Sequence, residues 1–571
     1  MLLLVLASAC IIRDPGSKTT LACGTGTHED SGQCVADAAD SGNGDSGDSD
    51  SDTDADGDSD ADGDTDSDTD ADADTDADSD TGTAADSDGD GYSADDCDDN
   101  DVDVHPGAKE VCNDGRDNDC DGVGCPWSGT ADAEGSGIAL RGQRNADSTG
   151  ISSAGGDVTG DGVGDVIVGA YQSPNGASDG GTVWIAPGPV RADLSLAIDG
   201  FGLTGAASEQ AGWQVATGDM DGDDVSDLWI GSYDRTADSP GVTWIVVGPV
   251  TAGATLDSVG TRVVGTSKEQ LGRMATMAGD VNGDGKQDLL FGSERSNRGR
   301  DGSGAAFLFY GMPAKPDTNR ADGWIYGAYN EGASLGTSGA GVGDTDGDGL
   351  DDIAVSGQYK NVSQQAVWIL AGPVDGGFTP STATAAIYAT TDGNSLAMGT
   401  PGLTGLGDQD GDGYADIAIS AYNDTSAGNP SGSGIIYVVN GPFGGDVNLV
   451  SADARFIGEK ASMNIAFSIS GPGDTDGDGH VDLVSAYDGD RYGRATGEVH
   501  VVSGPFKGTD TLTTVTTATF YGSATLDGLD FTSAVGDVNG DGLGDFVGGA
   551  TSATGDAAGS GVAYLFYGGG F

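Results

Sequence analysis

The sequence predicts an all-β fold in which the C-terminal three quarters of the chain form a seven-bladed β-propeller. An acidic segment recurs seven times, and each copy runs into a short β-rich apolar stretch. In most copies a second apolar stretch follows and ends in a Gly-Pro turn. Glycine, at 102 of 571 residues, suits a fold rich in tight turns. No apolar segment reaches the length that a membrane-spanning helix needs. These observations favour many short strands over helices.

The recurring segment is typified by GDVNGDGKQDLLFGS. Its copies begin at Gly156, Gly218, Gly279, Gly343, Gly407, Gly473 and Gly536. Successive copies are separated by 62, 61, 64, 64, 66 and 63 residues. A period this regular indicates a repeat architecture, in which each unit buries its apolar faces against its neighbours.

Each period is predicted to contain about four strands. The acidic loop leads into a run such as Leu228–Ile230, and a second run ends at a Gly-Pro turn, as in GGTVWIAPGPV. Proline cannot donate to a ladder, so these turns end strands. More polar segments such as GTRVVG and DARFIG supply the remaining strands. The last period lacks its outermost strand, and residues 135–143 are expected to fill that place and close the ring over 129–571.

The repeats resemble the FG-GAP repeats of the integrin α-subunit propeller. That resemblance implies calcium binding by side-chain oxygens at loop positions 1, 3, 5 and 9, counted from the first Asp, and by the backbone carbonyl at position 7. Alternating oxygen donors agree with the six to eight oxygens that calcium takes, at an affinity of about 10⁻⁴–10⁻³ M for extracellular modules. The implied ligands are Asp157, Thr159, Asp161, Val163, Asp165; Asp219, Asp221, Asp223, Val225, Asp227; Asp280, Asn282, Asp284, Lys286, Asp288; Asp344, Asp346, Asp348, Leu350, Asp352; Asp408, Asp410, Asp412, Tyr414, Asp416; Asp474, Asp476, Asp478, His480, Asp482; and Asp537, Asn539, Asp541, Leu543, Asp545.

Two loops depart from the common pattern. Thr159 places a neutral hydroxyl at position 3 of the first loop. Asp224 replaces the usual glycine at position 6 of the second loop, where the turn requires a left-handed backbone. We expect a site in the second loop as well, with some distortion.

The N-terminus, MLLLVLASAC, resembles a bacterial lipoprotein signal. Residues 1–9 are the predicted signal peptide, and Cys10 is the predicted lipidation site; an ordinary secretory signal or a misassigned start codon are the alternatives. Residues 10–35 are predicted to form an anchor segment with a Cys23–Cys34 disulfide. Residues 36–85 are predicted to form a disordered acidic linker, in which every even-numbered residue from 50 to 80 is Asp. Self-repulsion makes this segment an extended tether, with weak calcium binding as the alternative.

Residues 86–126 are predicted to form a small, disulfide-rich metal-binding module. Asp86, Asp88 and Asp90 open it like an EF-hand loop, but Cys97 occupies the twelfth position, where an EF-hand carries Glu. The stretch resembles the metal-binding motif of MopE-like bacterial surface proteins, which favours calcium; a disulfide-tied acidic knot without a specific ion is the alternative. Cys-ligated zinc is disfavoured, because oxidised cysteines are not thiolate ligands. The pairing of four expected disulfide cysteines stays open: Cys97, Cys112, Cys120 and Cys125.

The charge and the motifs of the sequence exclude several classes of function and favour others. With 93 acidic and 23 basic residues, the net charge of −70 disfavours binding to nucleic acid or to an anionic membrane surface. The four histidines form no HExxH motif, and we expect no enzyme. The sequence predicts an exported calcium-binding protein, either an outer-membrane or cell-surface lipoprotein or a secreted protein, whose propeller is an adhesion platform for an unidentified protein or glycan. A structural surface component and a propeller hydrolase or lyase are the alternatives.

Overall fold

The computed structural model describes residues 27–30, 33–36, 105, 106, 108, 127–174, 179–232, 240–266, 269–299, 302–313, 317–327, 334–359, 364–389, 402–424, 429–487, 496–524 and 526–570. The chain divides into two units, Met1–Asp80 and Thr81–Phe571. In the first unit, Thr27–Asp30 pairs antiparallel with Gln33–Ala36, and Cys34 lies on the second strand. The predictions for Cys10, Cys23 and the acidic linker concern residues outside the described ranges.

The second unit contains seven sheets, here blades 1 to 7, each built on four antiparallel strands a to d. Blades 1 to 3 comprise, in the order a to d, Ser153–Gly156, Asp165–Ala170, Thr182–Ala186 and Phe201–Thr204; Ala211–Gly218, Asp227–Ser232, Val242–Val246 and Thr261–Val264; Met274–Gly279, Asp288–Ser293, Ala305–Phe309 and Gly323–Tyr326. Blades 4 to 6 comprise Gly339–Gly343, Asp352–Tyr359, Gln364–Leu370 and Ala385–Tyr388; Leu403–Gly407, Asp416–Ala421, Ile435–Val439 and Ala454–Ile457; Ser468–Gly473, Asp482–Tyr487, Glu498–Val502 and Ala518–Tyr521. Blade 7 comprises Leu529–Gly536, Asp545–Ala550, Val562–Phe566 and Ile138–Arg141.

Blade 7 confirms the predicted closure of the ring. Its strand d, Ile138–Arg141, comes from the N-terminal side of the propeller and pairs antiparallel with strand c, so that Arg141 faces Val562 and Ile138 faces Leu565. The segment falls within the predicted 135–143. First and last parts of the domain therefore share one sheet, which ties the ring together and covers the edge that strand c would otherwise expose.

Among the described residues, six blades carry a fifth strand that the sequence does not predict. It pairs parallel to strand d and comes from the segment preceding strand d of the next blade. The fifth strands of blades 1, 3, 4, 5, 6 and 7 are Ala254–Thr255, Gly376–Phe378, Val447–Asn448, Gly508–Thr511, Gly129–Asp132 and Leu194–Ser195. These strands join neighbouring blades at the rim, but they are short and lack an alternating apolar pattern.

The described helices are single turns, and most lie just before a strand d. They are the α-helical turns Ala133–Ser136, Leu256–Val259 and Leu512–Val515, and the 3₁₀ turns Thr318–Arg320, Pro380–Thr382, Leu449–Ser451 and Gly568–Gly570. Leu256, Leu449 and Leu512 are buried at the start of their turns. Among the described residues, no helix has the length and apolar character required to span a membrane.

Apolar packing between neighbouring blades forms the core. In blades 1, 2 and 5, for example, every residue of strand b is buried, because both faces of a blade lie against other blades. Trp127 extends this core beyond the predicted start at residue 129. Its ring contacts Phe520 and Phe566 at centroid distances of 5.0 and 5.9 Å, and its Nε1 donates to the carbonyl of Tyr567 at 2.9 Å. The propeller domain therefore includes Trp127.

Candidate metal centres

The seven acidic loops connect strand a to strand b in the seven blades. Position 1 directly follows the last residue of strand a, and position 9 is the first residue of strand b. Strand a has the same sense in every blade of a propeller, so all seven loops lie on one face of the ring. The repeat therefore places seven equivalent acidic loops at equivalent places.

The carboxylate at position 1 holds each loop in a curl. In the third loop, Asp280 Oδ1 accepts from the backbone N–H groups of Gly283 and Asp284 at 2.7 and 2.9 Å, and its Oδ2 accepts from Gly285 N–H at 2.8 Å. Gly283 and Gly285 have φ angles of 77° and 85°, which favour glycine. The position 1 to position 4 bond measures 2.6–2.7 Å in all seven loops.

Position 9 joins the loop to strand c. In all seven blades, one oxygen of its carboxylate accepts from the N–H of position 2 at 2.8–3.0 Å. The other oxygen accepts from a glycine N–H just after strand c at 2.7–3.0 Å. All seven side chains are 0% exposed. The sequence suggested a ligand role only, although the glycine that follows strand c in every repeat could have indicated this second role.

Burial raises the pKa of the position 9 carboxyl groups, because desolvation disfavours the charged form. The pKa rises to about 6 for Asp227, Asp352, Asp416 and Asp482, to about 7 for Asp288 and Asp545, and in the same direction for Asp165. The backbone hydrogen bonds oppose this rise, whereas nearby loop carboxylates reinforce it in most loops. A cation beside these groups would favour their charged form.

We expect the metal-free protein to become more stable as the pH falls from 7.5 to 5.5. The folded position 9 groups bind protons more tightly than unfolded Asp, whose pKa is about 3.9, so folding takes up protons in this range. Urea unfolding of chelator-treated protein at both pH values measures the change. Repeating it in about 0.5 M NaCl screens repulsion between exposed charges and should leave the trend intact. A midpoint lower at pH 5.5 than at pH 7.5 would contradict the assignment.

Four loops bring three carboxylates together. In the second, fifth and sixth loops, oxygens of positions 1, 3 and 9 lie within 4.8 Å of one another; in the fourth, positions 1, 3 and 5 do so. Two oxygens on one calcium ion lie at most about 5 Å apart, since each Ca–O distance is about 2.3–2.6 Å. Asp221 Oδ1 is buried and has no hydrogen-bond partner among the described residues. Such an oxygen fits the place of a metal ligand.

The other three loops have a neutral residue at position 3, which lies beside the carboxylate of position 9 or of position 5. Thr159 Oγ1 is 3.4 Å from Asp165 Oδ1, and the amides of Asn282 and Asn539 donate to the position 5 carboxylates at 3.2 and 2.7 Å. Each can present an oxygen, so all seven donor sets fit a hard cation. These loops carry one carboxylate fewer than the other four.

The atypical second loop keeps the common shape. Asp224 at position 6 has a φ of 68°, as expected for this place in the turn. Its N–H donates to Asp219 Oδ2 at 2.9 Å, the bond that glycine makes in the other loops. Position 6 is therefore left-handed here too, without a change in the hydrogen bonding around position 1.

Contacts between neighbouring loops were not predicted. The carbonyl of position 1 accepts from the N–H of position 8 in the following blade at 2.7–3.2 Å for the first, second, third, fourth and sixth loops. Lys286 Nζ donates to the carbonyl of Asp221 in the preceding loop at 2.6 Å. These bonds link most of the loops in sequence around the ring.

Two further residues orient position 3 carboxylates. Asn440 Nδ2 donates to Asp410 Oδ2 at 2.6 Å, and Ser503 Oγ donates to Asp476 Oδ2 at 2.7 Å. Each lies 27 or more residues along the chain from its partner and just before a Gly-Pro turn, so loop spacing gave no signal for it. Asp86, Asp88, Asp90 and the four cysteines from Cys97 to Cys125 lie outside the described residues.

Comparison with known proteins agrees with this architecture. FG-GAP repeats match residues 149–185 and 273–309, which contain the first and third loops, and the Cu-binding MopE metal-binding motif matches residues 96–124. Integrin alpha-4 of Xenopus laevis is 32% identical over 155 residues, 27% of this chain and 14% of that protein. Integrin alpha-PS2 of Drosophila melanogaster is 28% identical over 228 residues, 38% and 15% of the two chains.

Human integrin alpha-IIb is 29% identical over 223 residues, 37% of this chain and 20% of that protein. The chain thus spans only 14–20% of the length of these relatives. The solved Dos1 propeller covers 78% of this chain and 93% of its own at 9% identity, with a TM-score of 0.33 that carries no inference. The repeats, the seven blades and the integrin α similarity together show that this chain carries FG-GAP repeats in a seven-bladed β-propeller, preceded by a MopE-like metal-binding motif.

Proposed function

We propose that the chain is an exported calcium-binding surface protein whose propeller is a recognition platform for an extracellular protein or glycan, without enzymatic activity. The observation that carries the proposal is the set of seven acidic loops on one face, each held in a curl by its position 1 carboxylate. The similarity to integrin α subunits supports the surface role, and the fold by itself does not define a function.

Calcium is the cation that the donor set favours. The loops offer carboxylate, amide, hydroxyl and carbonyl oxygens, with no sulfur or imidazole directed to the ion, and hard cations prefer such donors. Calcium also tolerates irregular coordination, which suits loops that differ at position 3, whereas magnesium requires a near-ideal octahedron. His480 is exposed at position 7, where only its carbonyl would serve as a ligand.

Lipid anchoring completes the proposal. A lipid on Cys10 would be the membrane attachment, and the acidic segment 36–85 would extend from it because its aspartates repel one another. The net charge of −70 opposes direct contact with anionic lipids. Mass spectrometry of the protein purified from its membrane fraction tests the modification, and an unmodified Cys10 would support the secreted form instead.

The recognition role is tested by binding of the full chain to glycan arrays, matrix proteins and whole cells, in about 2 mM calcium or in chelator. We expect binding that chelator abolishes and added calcium restores. No binding in either condition, with the propeller folded by circular dichroism, would favour a structural surface component. Release of reducing ends from a polysaccharide would favour the hydrolase or lyase alternative.

A further inference from the structure

A cavity of about 390 Å³ occupies the centre of the ring, and all seven blades contribute to its wall through strand a or the residues beside it. This size falls within the range of about 300–1,000 Å³ typical of small-ligand sites. Trp213, near the start of strand a of blade 2, and Arg273, just before that of blade 3, both line the cavity. Because the metal loops follow the other end of strand a, these two side chains mark the opposite mouth.

Trp213 provides an aromatic group that is held in place. Its ring packs edge-to-face on Tyr171, with centroids 4.9 Å apart and an interplanar angle of 89°. Tyr171 is held in turn, because its hydroxyl accepts from Gln172 Nε2 at 2.6 Å. Trp213 is only partly buried. A fixed, partly open indole suits the apolar C–H face of a sugar ring, which prefers a rigid flat partner.

The polar lining favours a neutral, hydroxyl-rich ligand. Arg273 forms an ion pair with Glu294, whose Oε1 also lies 3.9 Å from Arg295 Nε, so the charge of Arg273 is partly neutralised at the mouth. Ser153 is 7% exposed, and its Oγ has no hydrogen-bond partner among the described residues. Ser533 Oγ accepts from Ser153 N–H at 3.2 Å and can still donate its own proton. The net charge of −70 disfavours sulfated or carboxylated ligands.

A protein ligand finds less support among the described residues. Ile198, Val450 and Leu526 are the most exposed large apolar side chains there, and they lie in the connections of three different blades. Isolated apolar side chains are usual on a protein surface and do not form a docking patch. The end of the central cavity beside Trp213 and Arg273, here the channel mouth, combines in contrast a cavity, an aromatic ring and hydroxyl groups.

We propose that the channel mouth binds one or two residues of a neutral glycan. Trp213 contacts the apolar face of the sugar, and the Arg273–Glu294 pair and the channel hydroxyls exchange hydrogen bonds with the sugar hydroxyl groups. This inference rests on the proposed recognition function and assigns it a ligand class and a site on the face opposite the metal loops.

The test uses the full chain in calcium with neutral gluco-, galacto-, manno- and N-acetylglucosamine oligomers of two to four sugars. A sulfated disaccharide serves as the anionic comparison, and saturation-transfer NMR and titration calorimetry detect binding. We expect one neutral series to bind and Trp213→Ala to weaken it at least tenfold. Trp324→Ala, on strand d of blade 3 at the rim, is the matched control and should bind normally.

A second variant separates loss of the site from loss of folding. Thr337 lines the cavity and is partly exposed, so Thr337→Trp should fill the mouth without removing core packing, and should also abolish binding. Absence of binding by every neutral probe, preference for the sulfated sugar, or unchanged binding by both variants would overturn the inference. Chelator-sensitive binding of a protein, unaltered in both variants, would overturn the glycan site while upholding the recognition platform. Failure of all binding would reject both proposals.

Discussion

Addition of about 10 mM calcium to the metal-free protein should stabilise the propeller more than any other change considered. With a dissociation constant of about 10⁻⁴–10⁻³ M, one site contributes about 1.4–2.7 kcal/mol at that concentration. Seven independent sites would together contribute about 10–19 kcal/mol. The denaturant concentration at the unfolding midpoint should rise accordingly, as measured by tryptophan fluorescence in urea.

Magnesium at the same concentration and sodium chloride at the same ionic strength are the controls for this prediction. Magnesium should stabilise less, because it requires near-octahedral geometry and loses its water reluctantly. Sodium chloride should act only by screening repulsion between carboxylates. Equal midpoints in calcium and in sodium chloride would mean that the loops do not hold the ion.

The second large effect is expected from Asp352→Ala, even without calcium. Asp352 is 0% exposed and accepts from the N–H groups of Thr345 at 2.9 Å and Gly372 at 2.8 Å. Its removal leaves these two N–H groups and the hydroxyl of Thr345, which also donates to Asp352, without this acceptor. The two N–H groups alone cost about 1–3 kcal/mol each, or about 2–6 kcal/mol together. Urea unfolding in chelator measures this loss.

Asp348→Ala, in the same loop, is the matched control. Asp348 is exposed, and Leu350 N–H donates to its Oδ1 at 2.9 Å, so its loss should cost less than about 1 kcal/mol in chelator. In calcium, both variants should lose the ion of the fourth loop. If the two variants were equally destabilised without metal, position 9 would have no separate structural role.

Much of this fold could be predicted because its repeat places strong local signals at fixed positions. Glycine with a left-handed backbone, as at Gly283, and apolar runs such as Leu228–Ile230 fix the loop and the buried strand. The closing strand Ile138–Arg141 could be anticipated because the seventh period lacks a fourth strand. These features depend on residues close together in the chain or on counting repeats.

The features that escaped prediction depend on distant contacts. The fifth strand Gly376–Phe378 pairs along the edge of blade 3 through backbone groups, which any sequence can supply. Asn440 approaches Asp410 only because strand c returns to the loop after 30 residues. The sequence indicates that the position 9 carboxylates are metal ligands. Their burial and their hydrogen bonds to the end of strand c arise only from three-dimensional packing, so the sequence does not indicate them. The alternating Asp residues therefore identify the candidate site, but they do not show which contacts hold the loop in place.

The central claim is that all seven loops hold calcium, and the most direct test is a crystal structure of the protein grown in calcium. Anomalous difference density, collected at a wavelength where calcium scatters, locates the ions without assuming their positions. We expect one peak in each of the seven loops, between positions 1, 3 and 5 and close to position 9. Ordered loops without such peaks at millimolar calcium would contradict it.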